Sequence, residues 1–336
     1  MAAAGERPGE VALIERYFAP LATDPGAVGL ADDAAVLSHA PGEEIVATTD
    51  ALAAGIHFFA DDPPAAIAAK ALRVNLSDLA AKGARPRGYL LTLALPDDWT
   101  EAWLAAFCEG LAADQATYGC PLLGGDTIRA PGGLVVSVTA FGVLPAGSAV
   151  RRGGARAGDL VYVTGSIGDA ALGLALRTGA VPAEVAAAAG LDAAGRAHLA
   201  GRYLKPLPRT AAAAAVRAHA HAAMDVSDGL VGDLARLCRA SGVAAVVEAA
   251  AVPLSAPAAG LAAADPALFA RALTGGDDYE ILATVPAGRA AAFAADLATV
   301  GVAATAIGRI AAGAGVAVVD AAGRPLDLGA GAYAHF

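Results

Sequence analysis

Cysteine is scarce: Cys108, Cys120 and Cys238 lie far apart in a chain of 336 residues. Their spacing fits neither a zinc site nor a disulfide framework, and points to a reducing compartment, the cytoplasm. Aromatic residues make up only 5% of the chain and charged residues 17%. Basic residues are outnumbered, 23 Lys and Arg against 33 Asp and Glu, for a formal net charge of −10. Binding along a phosphate backbone needs clustered cations, which argues against nucleic acid as a partner. Long hydrophobic runs are missing too. The mean hydropathy of +0.54 comes largely from alanine and valine, and the richest window, 242–264, is interrupted by Glu248, Pro253 and Pro257. No charge-free run of the ~20 strongly apolar residues a bilayer span requires is left, so no membrane partner is expected. The opening MAAAGERPGE lacks a basic start followed by an apolar core, and a secretory signal is not expected. Neither G-x-x-x-x-G-K-[ST] nor a G-x-G-x-x-G after a strand occurs, which rules out the P-loop and the dinucleotide fingerprint.

What is present alternates in the manner of an α/β protein with two domains. Strands are expected at Glu44–Thr49, Tyr89–Leu95, Leu134–Val143, Leu160–Val163 and Ala222–Val226, with another after Asp277-Asp278-Tyr279-Glu280 running to Val285. A helix should open at Pro63-Pro64, run to about Lys82 and stop at Gly83, since proline suits a first turn and glycine an end. A second helix covers Glu101–Tyr118. Ser227 stands where an N-cap would start a helix with apolar Leu230, Val231, Leu234, Leu237 and Cys238, closed by Gly242. Glycines and arginines cluster over 145–158, and the domain boundary is placed there, giving domains 1–148 and 149–336.

Several aspartates stand beside small or hydroxylic residues: Asp33, Asp50 after Thr48-Thr49, Asp78, Asp126 in GGDT, Asp225 and Asp228. Mg²⁺ takes hard oxygen ligands, a few carboxylates shared with water and substrate phosphates, and such aspartates can supply them. Each also has an ordinary reading. Asp78 and Lys82 have the spacing of a helical ion pair, Asp228 suits a helix N-terminus, and Asp32-Asp33 and Asp277-Asp278 suit solvated turns. GGDT itself reads as a bare glycine turn. Gly165-Ser166-Ile167-Gly168 lies between a strand and a helix, where free N–H groups can hold an anion, though a plain turn looks the same. Arg151 and Arg152 are candidate phosphate clamps or linker charges. His57 is a base, a ligand contact or a structural residue. No Ser-His-Asp or Cys-His arrangement is supported by spacing.

Taken in order, these segments resemble the thiamine-monophosphate kinases over about 13–336. LADDAAVL is similar to the family's G-x-G-D-D-A-A segment, with Ala31 in place of the first motif's glycine. ATTDALAAGIHF and KALRVNLSDLAAKGARP follow, the latter the most specific, with Lys82 where methionine is usual. GGDT, VYVTGSIGDAALGL, MDVSDGL, LTGGDDYE and the terminal GAYAHF complete the series, with Asp277 where glutamate is usual. The resemblance implies the two-domain fold of aminoimidazole ribonucleotide synthetase: an N-terminal mixed-sheet domain that pairs in a homodimer, and a C-terminal α/β domain. It implies phosphoryl transfer from ATP to thiamine monophosphate with several Mg²⁺ ions. By position, metal sites fall on Asp33, Thr48, Thr49, Asp50, Asp78, Asp126, Asp225 and Asp228, with Asp50 and Asp126 catalytic. ATP contacts fall on Gly125, Asp126, Arg152 and Ser227, and acceptor contacts on His57, Asp277 and Tyr333. The acceptor phosphate has a second pKa near 6, so its attacking oxygen is already mostly ionised and no protein base is required.

Two alternatives accompany this reading. One is another ATP-using enzyme of the superfamily, although selenophosphate synthetases carry an early reactive cysteine, the hydrogenase-maturation enzymes end in cysteine, and aminoimidazole ribonucleotide synthetases lack the VNLSDLAAKGA form. The other is a non-catalytic sensor of nucleotide or thiamine phosphates.

Overall fold

The computed structural model describes residues 9–329. The chain divides into two compact units, one made of residues up to Leu79 plus Arg85–Gly147, the other of Ala80–Ala84 plus the chain from Ser148.

The first unit is built on a four-stranded mixed sheet in the order β1-β4-β2-β3: β1 Glu43–Ala53, β2 Arg85–Leu95, β3 Leu122–Arg129 and β4 Val135–Pro145. β4 runs antiparallel to β1 and β2, and β3 runs parallel to β2. Alternation along each strand separates the two faces. Tyr89, Leu91, Leu93, Val136, Val138 and Ala140 are buried on one face. Two helices are tied to that side, α1 (Pro64–Ala81) and α2 (Glu101–Tyr118). Thr100 caps α2 through the Trp103 N–H, and Gly119 ends it in the left-handed region. The helices approach closely at Gly110, where a Cβ would stand 2.6 Å from the Ala65 carbonyl oxygen. Arg73 of α1 grips Asp114 of α2 by two 2.7 Å bonds, and Gln115 donates to the buried Tyr89 hydroxyl.

The other face of this sheet stays open. Ile45, Leu90, Ile128 and Val135 are between 36% and 47% exposed there, an apolar surface of the kind that marks an interface.

The second unit holds a six-stranded mixed sheet, β10-β7-β9-β5-β8-β6, with only β10 and β7 parallel. Its strands are β5 Leu160–Thr164, β6 Ala222–Asp225, β7 Ala244–Glu248, β8 Ile281–Val285, β9 Ala304–Ala311 and β10 Gly315–Val319. Its helices include α3 (Asp169–Arg177), α4 (Ala193–Leu204) and α5 (Leu230–Ser241). Lys82, the departure from methionine, belongs to this unit and donates to the Ala223 carbonyl of β6 at 2.7 Å.

All three cysteines are free and buried. Burial pushes the Cys108 and Cys120 thiols up to about 12 and Cys238 up to about 11. None is poised as a nucleophile.

Candidate active site

The sequence reading of GGDT as a bare turn is corrected by the structure. Gly124–Thr127 lie inside β3, with Gly125 level with Leu91 and Asp126 level with Thr92 of β2. The glycine is required by close approach: a Cβ on Gly125 would stand 1.9 Å from the Leu91 carbonyl oxygen. Gly125→Ala is therefore expected to push β3 off β2 and lower stability by about 2 kcal/mol or more. Thermal unfolding and amide exchange over 122–129 measure this, and an unchanged melting temperature would contradict it.

Asp126 shares a cavity of about 670 Å³ with Asp32, Asp33, Thr92, Gly125 and Thr139. That volume suits a nucleotide-sized ligand. The segment bringing Asp33 there is held at its base. Asp24 caps Gly26 at 2.8 Å and pairs with Arg87, whose hydrogen bond holds the Asp24 carboxyl below its usual range. Beyond that base, Val28 and Leu30 lie in the left-handed region with φ of 50° and 63°.

β1 distributes its residues to both faces. The Thr48 hydroxyl donates to Asp78 of α1 on the covered side, and Asp50, two residues on, shares that face. Thr49 points the other way, its hydroxyl 3.0 Å from that of Thr139. Asp50 and Asp126 are thus separated twice. They project from opposite faces, and they stand on opposite edge strands, three strand spacings or roughly 14 Å apart. After β1, His57 Nδ1 accepts from the Ala53 N–H at 3.0 Å, while buried Lys70 holds the His57 carbonyl at 2.9 Å. A neutral His57 ring so placed carries its proton on Nε2 and offers a donor there.

In the second unit the structure brings Asp225, Ser227, Asp228 and Asp277 together. Asp225 ends β6. The Asp277 N–H donates to the Ser227 carbonyl at 2.8 Å, and Tyr279 N–H to that of Val226 at 2.8 Å. Ser227 does not cap the helix that follows: Gly229 is the cap residue of α5. A residue the sequence reading missed does the holding. Asp233, fully buried, accepts from the Ser227 and Asp228 N–H groups at 3.0 and 2.9 Å and from Arg236 at 2.6 Å. Burial raises its carboxyl above the usual range. An acid at 233 falls on the same helical stripe as Leu230, Leu234 and Leu237, a signal that was available in the spacing. Asp228 is itself paired with Arg236.

One other expectation changes. Gly165-Ser166-Ile167-Gly168 is not an open anion cradle, because protein acceptors take three of its four N–H groups. Gly165 donates to Ala303, Ile167 to Pro253, and Gly168 to both Asp278 carboxylate oxygens at 2.9 Å. Arg152 is tied through its main chain to the C-terminal end of α5, whereas Ser227 precedes the helix. The Arg152 carbonyl faces Ser241, at the far end of α5 and roughly 16 Å along the helix axis. Tyr333 lies outside the described residues. Among those residues no three His, Cys, Asp or Glu side chains gather to hold a metal ion.

Fold and ordered acidic segments together have a counterpart among known proteins. The AIR synthase related protein family matches twice, its N-terminal domain over residues 31–144 and its C-terminal domain over 156–321. The class is therefore that of two-domain AIR synthase related proteins. Within it, the thiamine-monophosphate kinase of Caulobacter vibrioides is 42% identical over 319 residues, 94% of this chain and 88% of that protein. A crystal structure of thiamine-monophosphate kinase from Stenotrophomonas maltophilia matches with a TM-score of 0.78 at 42% identity, covering 86% of this chain and 89% of that one. AaThiL complexed with AMPPCP and TMP matches at 0.76 and 31% identity, covering 91% of each. This chain belongs to the thiamine-monophosphate kinase family.

Proposed function

We propose that this protein phosphorylates thiamine monophosphate to thiamine diphosphate with ATP. The observation that carries the proposal is near-complete correspondence with a kinase family whose member AaThiL is known in complex with AMPPCP and TMP. AMPPCP is an ATP analogue that cannot transfer its terminal phosphoryl group, and TMP in a thiamine-monophosphate kinase stands for thiamine monophosphate. With AMPPCP standing in for ATP, the two ligands together mark the two substrates of that reaction.

In this reading residues 1–148 form the dimerising domain that carries most of the metal donors and part of the ATP site, and 149–336 form the C-terminal α/β domain that adds Arg152, Asp225, Ser227 and Asp228. Gly125, Asp126, Arg152 and Ser227 hold ATP. His57, Asp277 and Tyr333 hold the acceptor, with His57 giving its Nε2–H to a phosphate oxygen and removing no proton. Asp33, Thr48, Thr49, Asp50, Asp78, Asp126, Asp225 and Asp228 are the Mg²⁺ donors. The donor set fits this ion. It is entirely hard oxygen: the Thr48–Asp78 pair offers one carboxylate and the cavity of Asp33 and Asp126, with Asp32, offers three, few enough to leave room for water and phosphate oxygens. Bound Mg²⁺ would neutralise and orient phosphate charge. The chain's own contribution is to hold two polyanions in line.

A homodimer completes the reading. The exposed sheet face and its two free edges suit a second copy, and edge-to-edge pairing brings β1 of one protomer beside β3 of the other. Such pairing would bring the β1 edge that bears Asp50 within one strand spacing of the β3 edge that bears Asp126 of the other chain, each carboxylate still on its own face of the sheet. The cytoplasm is the proposed compartment, in keeping with three buried free thiols. Among the described residues no helix is long and apolar enough to cross a membrane.

The test is a product assay with ATP, Mg²⁺ and thiamine monophosphate, with free thiamine in parallel. Thiamine diphosphate formed from the monophosphate, with matching ADP and loss on chelation, is the expected result. Protein that binds ATP yet forms no diphosphate would sink the proposal.

A further inference from the structure

We infer that Asp278 and Tyr279 are positioning residues that set Asp277 for the phosphoryl acceptor, an inference that rests on the proposed kinase reading. The segment they occupy is strained. Asp277 and Tyr279 have φ of 70° and 52°; aspartate tolerates that region, but a bulky tyrosine rarely adopts it. Such a conformation persists only where its surroundings impose it.

Buried groups impose it from one side. Asp278 is 1% exposed, and both its oxygens lie 2.9 Å from the Gly168 N–H. Glu280, fully buried, accepts from Thr164 Oγ1 at 2.7 Å, Arg202 Nη2 at 2.8 Å, and Arg209 Nε and Nη2 at 2.6 and 2.5 Å. Arg202 also donates to the Asp278 carbonyl at 3.3 Å. Gly165 is glycine for the same reason, since a Cβ there would stand 2.2 Å from Glu280 Oε1. From the other side, the strand-like bonds to Val226 and Ser227 fix the main chain.

Asp277, half-buried, is thus held between anchored neighbours, and the Tyr279 hydroxyl donates to its Oδ1 at 3.3 Å. The side chain at 277 is one methylene shorter than the glutamate usual at this position. Its reach therefore depends on where the backbone puts it, and the clamp decides that. Burial pushes the Asp278 carboxyl well above the usual carboxylate range, so a neutral amide at 278 preserves the acceptor for Gly168, whereas a methyl group leaves that N–H unpaired.

The experiment measures KM for thiamine monophosphate, KM for ATP and kcat for wild type, Asp278→Ala, Asp278→Asn, Tyr279→Phe and Tyr279→Phe in an Asp277→Ala background. Asp278→Ala is expected to raise the acceptor KM about tenfold and Tyr279→Phe about threefold, with the ATP KM unmoved. Asp278→Asn should stay near wild type, and Tyr279→Phe should add nothing once Asp277 is Ala. A merely structural role would lower the active fraction, hence kcat, without this split. Wild-type turnover with the acceptor KM of Tyr279→Phe unchanged overturns the clamp alone, even if Asp278→Ala does not fold. Absence of wild-type turnover overturns the proposed function and the inference with it.

Discussion

Asp126→Asn is expected to fold like wild type and to lose activity by about 10²–10³-fold, the usual effect of removing one group that stabilises transferring charge. The carboxylate lies on an edge strand, on the open sheet face, in a cavity it shares with Asp33. Its replacement removes a charge without altering the β3 backbone. Activity within twofold of wild type would remove Asp126 from the site. The Asp50→Asn variant is expected to be comparably impaired, and mixing the two inactive variants tests whether one site draws on both chains. If Asp50 and Asp126 reach one site from two protomers, a mixed dimer carries one intact site and one doubly altered site. Free exchange of subunits makes half of the dimers mixed, so about a quarter of wild-type activity returns. No recovery, with exchange verified by a tagged subunit, would show that each chain builds its site alone.

Glu280→Ala should strike stability instead. It leaves the guanidinium groups of Arg202 and Arg209 beside a carboxylate that is gone, with the Arg202 side chain only 8% exposed. Breaking a buried ion pair from one side costs about 3–5 kcal/mol, because the remaining charge is desolvated and unpaired. For a unit of this size that lowers the melting temperature by roughly 6–20 °C. A fall of under 2 °C would mean the arginines find other partners or water.

Much of the secondary structure is legible along the chain. Pro63-Pro64 and Gly83 bracket a helix found at Pro64–Ala81, and Glu101–Tyr118 is a helix from end to end. β1 and β4 extend a few residues beyond their apolar cores, to Ala53 and Pro145, because cross-strand pairing continues past the residues that signal it. The glycine-rich segments were harder. A Gly-Gly pair reads as a turn whenever nothing shows that a neighbouring strand passes within van der Waals contact. Gly125 is glycine because of Leu91, and Gly165 because of Glu280 and Arg209. Likewise, GSIG reads as an empty anion site until Asp278, 110 residues away, supplies the acceptor.

The order of acidic and glycine-bearing segments is a property of the sequence, and it sufficed to point to the family and hence to the chemistry. The alternation of Thr48, Thr49 and Asp50 between two faces is also fixed locally, by the period of an extended chain. Strand order is not local. That β1 and β3 form opposite edges of one sheet, and so keep Asp50 from Asp126 within a chain, follows from which apolar faces bury against which helices. Those contacts join residues remote in sequence, and only the tertiary structure decides them.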